Sequence, residues 1–239
     1  MNKSLSFYGR EKDLARLEQL YADHRKALIV GPAGIGKTAL LRHFRQHHPL
    51  LLCEETSSLR RICDGLEREL GWRHYKLNVI ERKNRLAEYL ARRGEIVVFD
   101  HVALTPPKVA RYIAYVAERV PTWIACRSTL AAEIGRVWEY LVGYERIGLE
   151  PLTLSETRVL IEASVEQGHI QADANLHVPR LHRMSQGNPR LLEELLIELA
   201  TRSYSMDTDF GRRLLALDRR IHEFQVAGDI LAREMATKP

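Results

Sequence analysis

Cysteine is scarce in this chain: only Cys53, Cys63 and Cys126 occur among its 239 residues. They are too few and too scattered for a disulfide framework, and their spacing matches no metal-binding motif. Long apolar runs are also missing, so the sequence contains no candidate membrane-spanning segment. The first residues lack the apolar stretch that a signal peptide requires. These absences lead us to expect a reduced, cytoplasmic protein with no membrane as partner.

Internal repeats and low-complexity segments are absent as well. Hydrophobic residues make up 45% of the chain and charged residues 28%, which predicts a folded protein with a substantial core rather than a disordered one. Lysine and arginine outnumber aspartate and glutamate by 36 to 31. This excess permits contact with DNA, but by itself it favours ordinary solvated surface charge, which many basic proteins carry.

Short β-prone apolar runs alternate with helical patterns up to about residue 150, as in a parallel sheet whose strands are joined by helices. We predict strands at 26–30, 50–53, 95–100, 121–126 and 144–148. Helices are predicted at 11–23, from 37, and at 57–70, 79–92, 106–119 and 130–138. Beyond Pro151 the pattern is only helical, with predicted helices at 155–166, 177–184, 189–201 and 219–234. The expected organisation is a core over 1–150, a helical lid over 151–203 and a C-terminal helical tail over 204–239.

The first predicted strand leads into a phosphate-binding motif, Gly-x-x-x-x-Gly-Lys-Thr, and a helix follows. Small residues in such a loop let backbone N–H groups converge on phosphate oxygens, and the helix N-terminus adds a favourable dipole. We predict that Lys37 reaches the β- and γ-phosphates of ATP and that the Thr38 hydroxyl is a ligand of Mg²⁺. The predicted fold class is a P-loop NTPase core, a three-layer α/β/α parallel-sheet domain, with an all-helical lid. The predicted nucleotide-binding residues of the loop are Gly31, Pro32, Ala33, Gly34, Ile35, Gly36, Lys37, Thr38 and Ala39.

The metal side of the site needs a carboxylate at the end of a buried strand near the loop. Asp100 ends the apolar run Ile-Val-Val-Phe and is the natural candidate. Many ATPases of this design place a glutamate directly after that aspartate to polarise the attacking water, but here His101 follows. A neutral imidazole can accept a proton, and Glu54 or Glu55, after the neighbouring strand, offers a carboxylate instead. A third alternative is slow or partner-dependent hydrolysis without a dedicated base.

Four features together resemble the AAA+/STAND branch of P-loop ATPases over residues 6–202. Phe7-Tyr8-Gly9-Arg10-Glu11 resembles the "GRE" box before the first helix, and the P-loop follows it. Asp100 is at the position of the Walker B acid, and Gly187-Asn188-Pro189-Arg190 resembles the segment that carries the sensor-2 arginine. The resemblance implies that Phe7, Tyr8, Pro189 and Arg190 belong to the nucleotide pocket.

The resemblance also implies roles for two further arginines. Arg127 follows the fourth predicted strand, at the sensor-1 position, where STAND proteins often carry an arginine. Arg136 lies in the region that supplies an arginine finger to the adjacent subunit in ring-forming relatives, although a solvated helix arginine is an equally good interpretation. The full set of catalytic candidates is Lys37, Asp100, His101, Glu54, Glu55, Arg127, Arg136 and Arg190.

The resemblance implies an ATPase that binds ATP and Mg²⁺ and acts as an assembly switch controlled by the bound nucleotide. The expected partners are ATP or ADP, further copies of the chain, a second protein and double-stranded DNA. A helper role in a DNA-associated process such as transposition or replication is the first hypothesis. A STAND-type signalling ATPase and a nucleotide-binding scaffold with negligible hydrolysis are the alternatives.

Overall fold

The computed structural model describes residues 9–72, 77–168, 170 and 172–202. In their first part five strands alternate with helices. The strands are β1 Ala27–Val30, β2 Leu50–Cys53, β3 Ile96–Val102, β4 Thr122–Cys126 and β5 Glu145–Gly148. The helices are α1 Glu11–Ala22, α2 Lys37–Arg45, α3 Leu59–Glu69, α4 Val79–Arg93, α5 Pro107–Ala117 and α6 Ala131–Ile134, with a 3₁₀ helix at Arg136–Tyr140.

The five strands form one parallel sheet in the order β2-β3-β4-β1-β5. Their apolar side chains alternate between the two faces of the sheet. On one face they pack into a cluster with residues of α3, α4 and α5, and on the other with residues of α1 and α2. The prediction of a three-layer α/β/α core is therefore confirmed. The order of the strands brings the end of β1 beside the end of β4, and the end of β3 beside that of β2.

Most element ends differ from the prediction by one or two residues, and two differences have a clear structural cause. Strand β3 continues past residue 100 to Val102, because the chain bulges between Phe99 and Val102 and then pairs again with Cys126. The single helix predicted at 130–138 is two short pieces, α6 and the 3₁₀ helix. They are separated by Gly135, whose φ of 75° and close packing against the backbone of Thr105 leave no room for a Cβ.

Contacts within the chain separate the region from Phe7 to Leu152 from the unit that starts at Thr153. The second unit contains α7 Leu154–Glu166, a 3₁₀ helix at Ala172–His177, α8 Val178–Ser185 and α9 Pro189–Arg202. A capping box between Thr153 and Glu156 begins α7. The predicted helix at 219–234 lies outside the described residues. In the part of the chain that the structure describes, each helix is too short or too polar to cross a bilayer.

Candidate functional site

The phosphate-binding loop lies between the end of β1 and the start of α2. Gly36 is the N-cap of α2 with a φ of 102°, a left-handed conformation that favours glycine and lets the chain turn directly into the helix. Ile35 is fully buried in the core and anchors the loop, whereas Pro32 and Ala33 are exposed. Ala39 lies exposed in the first turn of α2. The loop therefore presents its backbone to solvent on a rigid base.

Lys37 lies across this loop. Its Nζ donates hydrogen bonds to the carbonyl oxygens of Gly31, at 2.6 Å, and of Pro32, at 2.9 Å. Burial lowers the pKa of the ammonium below its ordinary value, and the negative charge of Asp100 opposes that shift. The lysine is thus a largely desolvated cation held by loop carbonyls, and an incoming phosphate can replace those carbonyls as its partner.

The Thr38 hydroxyl donates a hydrogen bond of 2.5 Å to Oδ2 of Asp100. Asp100 is fully buried, and its Oδ1 accepts the backbone N–H of His101 at 2.7 Å. A hydroxyl and a carboxylate side by side are hard oxygen donors, and Mg²⁺ is usually held by one or two such groups together with substrate phosphates and water. The residues present therefore fit Mg²⁺ bound with a nucleotide. No cluster of three or more metal-ligating side chains occurs among the described residues.

His101 lies at the bulge of β3 with a φ of 54°. Its imidazole is 61% exposed. Nε2 is 3.4 Å from the Thr38 hydroxyl oxygen and 3.6 Å from Oδ2 of Asp100. The left-handed turn therefore places the ring beside the hydroxyl–carboxylate pair, on its solvent side.

Glu54 and Glu55 are both engaged by arginines. Glu54 receives two hydrogen bonds of 2.7 Å from Arg42 on α2, and these hold the pKa of its carboxyl below the ordinary range. Glu55 receives one bond of 3.1 Å from Arg61. A carboxylate with a lowered pKa is a weaker base, so the pairing with Arg42 counts against Glu54 in that role.

The predicted arginines have different surroundings. Arg127 is exposed directly after β4, and its charge acts on Lys37 to lower the lysine pKa. Arg136, on the 3₁₀ helix, forms an ion pair of 2.8 Å with Glu139. In the second unit Pro189 begins α9, and Arg190 pairs with Glu194 at 3.0 Å. Phe7 and Tyr8 lie outside the described residues. The structure thus brings together Lys37, Thr38, Asp100 and His101.

Two residues near the site were given no role from the sequence. Arg10, 7% exposed, donates hydrogen bonds to the carbonyls of Ile35, at 2.8 Å, and Glu150, at 2.7 Å, and so ties the loop to the chain beyond β5. Thr56, 3% exposed, donates from its hydroxyl to the carbonyls of Asp100 and His101 at 3.1 and 3.2 Å. The "GRE" segment was a signal for Arg10. Thr56 had none, because its contact depends on β2 and β3 being neighbours.

Comparison with known proteins supports the family that these features suggest. Residues 6–70 match the family model described as an AAA ATPase domain. No curated protein sequence matches the chain.

Three solved structures have a similar fold at low sequence identity. The Aeropyrum pernix Orc1 protein, solved in complex with DNA, has a TM-score of 0.62 at 20% identity, over 82% of this chain and 60% of that one. Domain III of the Thermotoga maritima replication initiation protein DnaA has a TM-score of 0.60 at 15% identity, over 90% and 94%. A STAND protein with a tetratricopeptide repeat sensor from Pyrococcus horikoshii has a TM-score of 0.51 at 17% identity, over 87% and 32%. The chain spans less than two thirds of the Orc1 and STAND proteins.

Proposed function

We propose that the chain is an AAA+-type P-loop ATPase, that it binds ATP with Mg²⁺ at residues 31–39 and that the bound nucleotide controls its assembly. The observation that carries this proposal is the hydrogen bond between Thr38 and the buried Asp100, beside the desolvated Lys37. Buried charged groups converging on a loop of backbone N–H groups are suited to a charged ligand. A triphosphate supplies the negative charge, and Mg²⁺ supplies Lewis-acid stabilisation of that charge when bound.

In the proposed reaction Lys37 would donate its hydrogen bonds to phosphate oxygens of ATP instead of to the loop carbonyls. Thr38 and Asp100 would hold Mg²⁺. His101 is the proposed general base, since its ring is beside Thr38 and exposed to water, whereas Glu54 is held by Arg42. Proton transfer from the attacking water to a positioned side chain lowers the barrier to hydrolysis. An imidazole can accept a proton only in its neutral form, so we expect slow turnover that a partner can stimulate.

The proposed switch uses arginines that sense the terminal phosphate. Arg127 follows β4 at the edge of the sheet where the loop lies. Arg190 and Arg136 are exposed, and each forms an ion pair at the surface, an interaction that contributes little and is readily exchanged. ATP at a boundary between subunits offers a phosphate that ADP lacks, and therefore favours the assembled state.

A DNA-associated role is the proposed setting. The support is the likeness in fold to an Orc1 protein solved with DNA and to a replication initiator domain, together with the basic composition of the chain. A STAND-type signalling switch is the second candidate, and it is favoured by the likeness to a STAND protein and by Arg127. A double-stranded DNA titration of ATP turnover separates the two, because only the first predicts stimulation.

Analytical ultracentrifugation tests the assembly switch. We expect larger species with ATP and Mg²⁺ than with ADP. Lys37→Ala should abolish the difference and weaken ATP binding in calorimetry by about 10- to 150-fold, the equivalent of one charged hydrogen-bonding partner. Lys12→Ala, which removes an exposed lysine of α1, is the matched control and should behave as the wild type. Identical sedimentation in all nucleotides would refute the switch, and absence of ATP binding would refute the site itself.

A further inference from the structure

We propose that the exposed face of α5 is a contact surface for the phosphate backbone of DNA. This inference deepens the DNA-associated function proposed above and rests on it. The surface, termed here the α5 stripe, consists of Lys108, Arg111, Tyr115 and Arg119. Their spacings of three, four and four residues place them on one face of the helix and its last turn. All four are exposed, while the opposite side of α5 is buried against the core.

The charges of the α5 stripe are available to a ligand. Lys108 and Arg111 form no hydrogen bond or ion pair with any residue that the structure describes. Arg119 stacks on the ring of Tyr115, with its guanidinium 3.5 Å from the ring centroid, and its Nη1 donates a hydrogen bond of 2.8 Å to the backbone carbonyl of Tyr115. Among the described residues, the carboxylate that it contacts is that of Glu118, at 3.6 Å. The stacking holds the guanidinium flat on the surface without neutralising it. An incoming anion therefore has few internal partners to displace.

A second element adds charge next to α5. Arg111 and Arg136 both line a depression of about 260 Å³, together with Pro107, Glu139 and Tyr140. Arg136 is paired with Glu139, so the surface carries four cations against the two carboxylates Glu118 and Glu139. Two tyrosine hydroxyls lie among these cations. Arginine, lysine and tyrosine are the side chains that commonly bind phosphate oxygens in complexes with DNA.

The chemistry of the stripe favours phosphates over an acidic protein. Along α5, which the structure describes completely, no leucine, isoleucine or valine is exposed, so the stripe offers positive charge and hydroxyl groups rather than an aliphatic patch. No asparagine or glutamine, the side chains that read adenine, lies on the helix. From Lys108 to Arg119 the stripe spans roughly 16 Å at about 1.5 Å per residue, whereas one DNA strand presents a phosphate every ~3.4 Å along its axis. We infer binding to several phosphates without sequence preference.

Fluorescence anisotropy tests the α5 stripe on the full chain with ATP and Mg²⁺. The probe is a labelled double-stranded DNA of arbitrary sequence, titrated at two salt concentrations. The double variant Lys108→Gln/Arg111→Gln should bind at least tenfold more weakly at low salt, and the slope of log affinity against log salt should fall by about two, for two lost phosphate contacts. Glu118→Gln should bind DNA more tightly than the wild type, because it removes the carboxylate beside Arg119. None of the residues changed in these variants belongs to the proposed ATP-binding loop at residues 31–39, so the affinity of the isolated chain for ATP should be unchanged in every variant.

A control variant on another helix, with the same change in charge, shows whether a loss of DNA affinity is specific to the α5 stripe. Arg60→Gln/Arg68→Gln removes two exposed arginines of α3, and it should leave DNA affinity within about twofold. If it weakens binding as much as the stripe variant, the attraction is diffuse and the inference is wrong. Tighter binding of a labelled polyglutamate peptide than of DNA at equal salt would also overturn it, in favour of an acidic protein partner.

The failure of the inference can be told from that of the proposed function. If the wild type binds DNA and the stripe variant binds equally well, only the α5 surface is refuted. If the wild type binds ATP but no DNA at low salt, the DNA-associated function is refuted together with the inference.

Discussion

The Thr38 hydroxyl and the Asp100 carboxylate are 2.5 Å apart although 62 residues separate them in the chain. Thr38 lies in the first turn of α2, which follows β1, and Asp100 lies on β3. Strand β4 separates β3 from β1 in the sheet. The two side chains meet because parallel strands end at the same edge of a sheet, where ligands of α/β proteins bind. Around this pair the structure makes the behaviour of several neighbours predictable.

The role of Thr56 is to hold the turn at Asp100 and His101. Thr56→Val removes the buried hydroxyl that serves both carbonyls, so we expect the free energy of unfolding to fall by about 1 kcal/mol. ATP turnover should fall more than ATP affinity, because the turn that aims His101 loosens while the loop is untouched. Urea unfolding and steady-state kinetics measure both effects. Thr56→Ser keeps the hydroxyl and should restore turnover; a serine variant as slow as the valine variant would contradict a positioning role.

The identity of the base can be decided by two matched variants. His101→Gln should lower turnover about 100-fold, at the lower end of the usual contribution of general acid–base catalysis, with little change in ATP affinity. Glu54→Gln should have a much smaller effect, since Arg42 already occupies that carboxylate. Single-turnover kinetics and calorimetry separate chemistry from binding. A large loss of turnover in Glu54→Gln with His101→Gln near normal would reverse the assignment.

The ion pair between Arg42 and Glu54 should make a small part of the stability depend on pH. The hydrogen bonds from Arg42 lower the pKa of Glu54 in the folded state. The stabilisation is therefore fully present above the ordinary glutamate pKa of about 4.3 and is lost as pH falls through the lowered pKa. The side chain of Arg42 is 61% exposed and that of Glu54 is 36% exposed, so solvent screens the pair and the contribution should stay below about 1 kcal/mol. The difference in unfolding free energy between wild type and Glu54→Gln should shrink from neutral pH to strongly acid pH; a constant difference would exclude the pair as its cause.

We expect the largest loss of stability when the buried ion pair between Arg82 on α4 and Glu67 on α3 is broken. The Arg82 guanidinium binds Glu67 at 2.9 and 3.1 Å from Nε and contacts Asp64 at 2.5 Å, and both Arg82 and Glu67 are buried. Glu67→Ala leaves a buried charge without its main partner and should cost about 3–5 kcal/mol in urea unfolding. Arg61→Ala, which breaks an exposed pair on α3, should cost less than about 1 kcal/mol. Similar losses in both variants would mean that burial of the pair is unimportant.

The elements of the fold that the sequence determined are those with a local cause. The strand and helix pattern of the core follows from short β-prone runs, most of them apolar, and from the helical spacing of apolar residues between them. The P-loop follows from a motif that is contiguous, because its turn and its helix N-terminus are formed by neighbouring residues. The nearness of Asp100 to the loop was predictable as well, since a buried parallel strand carries the residues near its carboxyl end to the common edge of the sheet.

The contacts between distant segments were decided by the tertiary structure alone. The strand order sets which loops are neighbours, and the order β2-β3-β4-β1-β5 puts Thr56 under the turn at His101. The bulge in β3 gives His101 its left-handed turn beside Thr38, and the packing of α2 near the end of β2 lets Arg42 capture Glu54. None of these contacts has a sequence signature, because each side chain is specified by a partner far along the chain and its energy exists only once the sheet has formed.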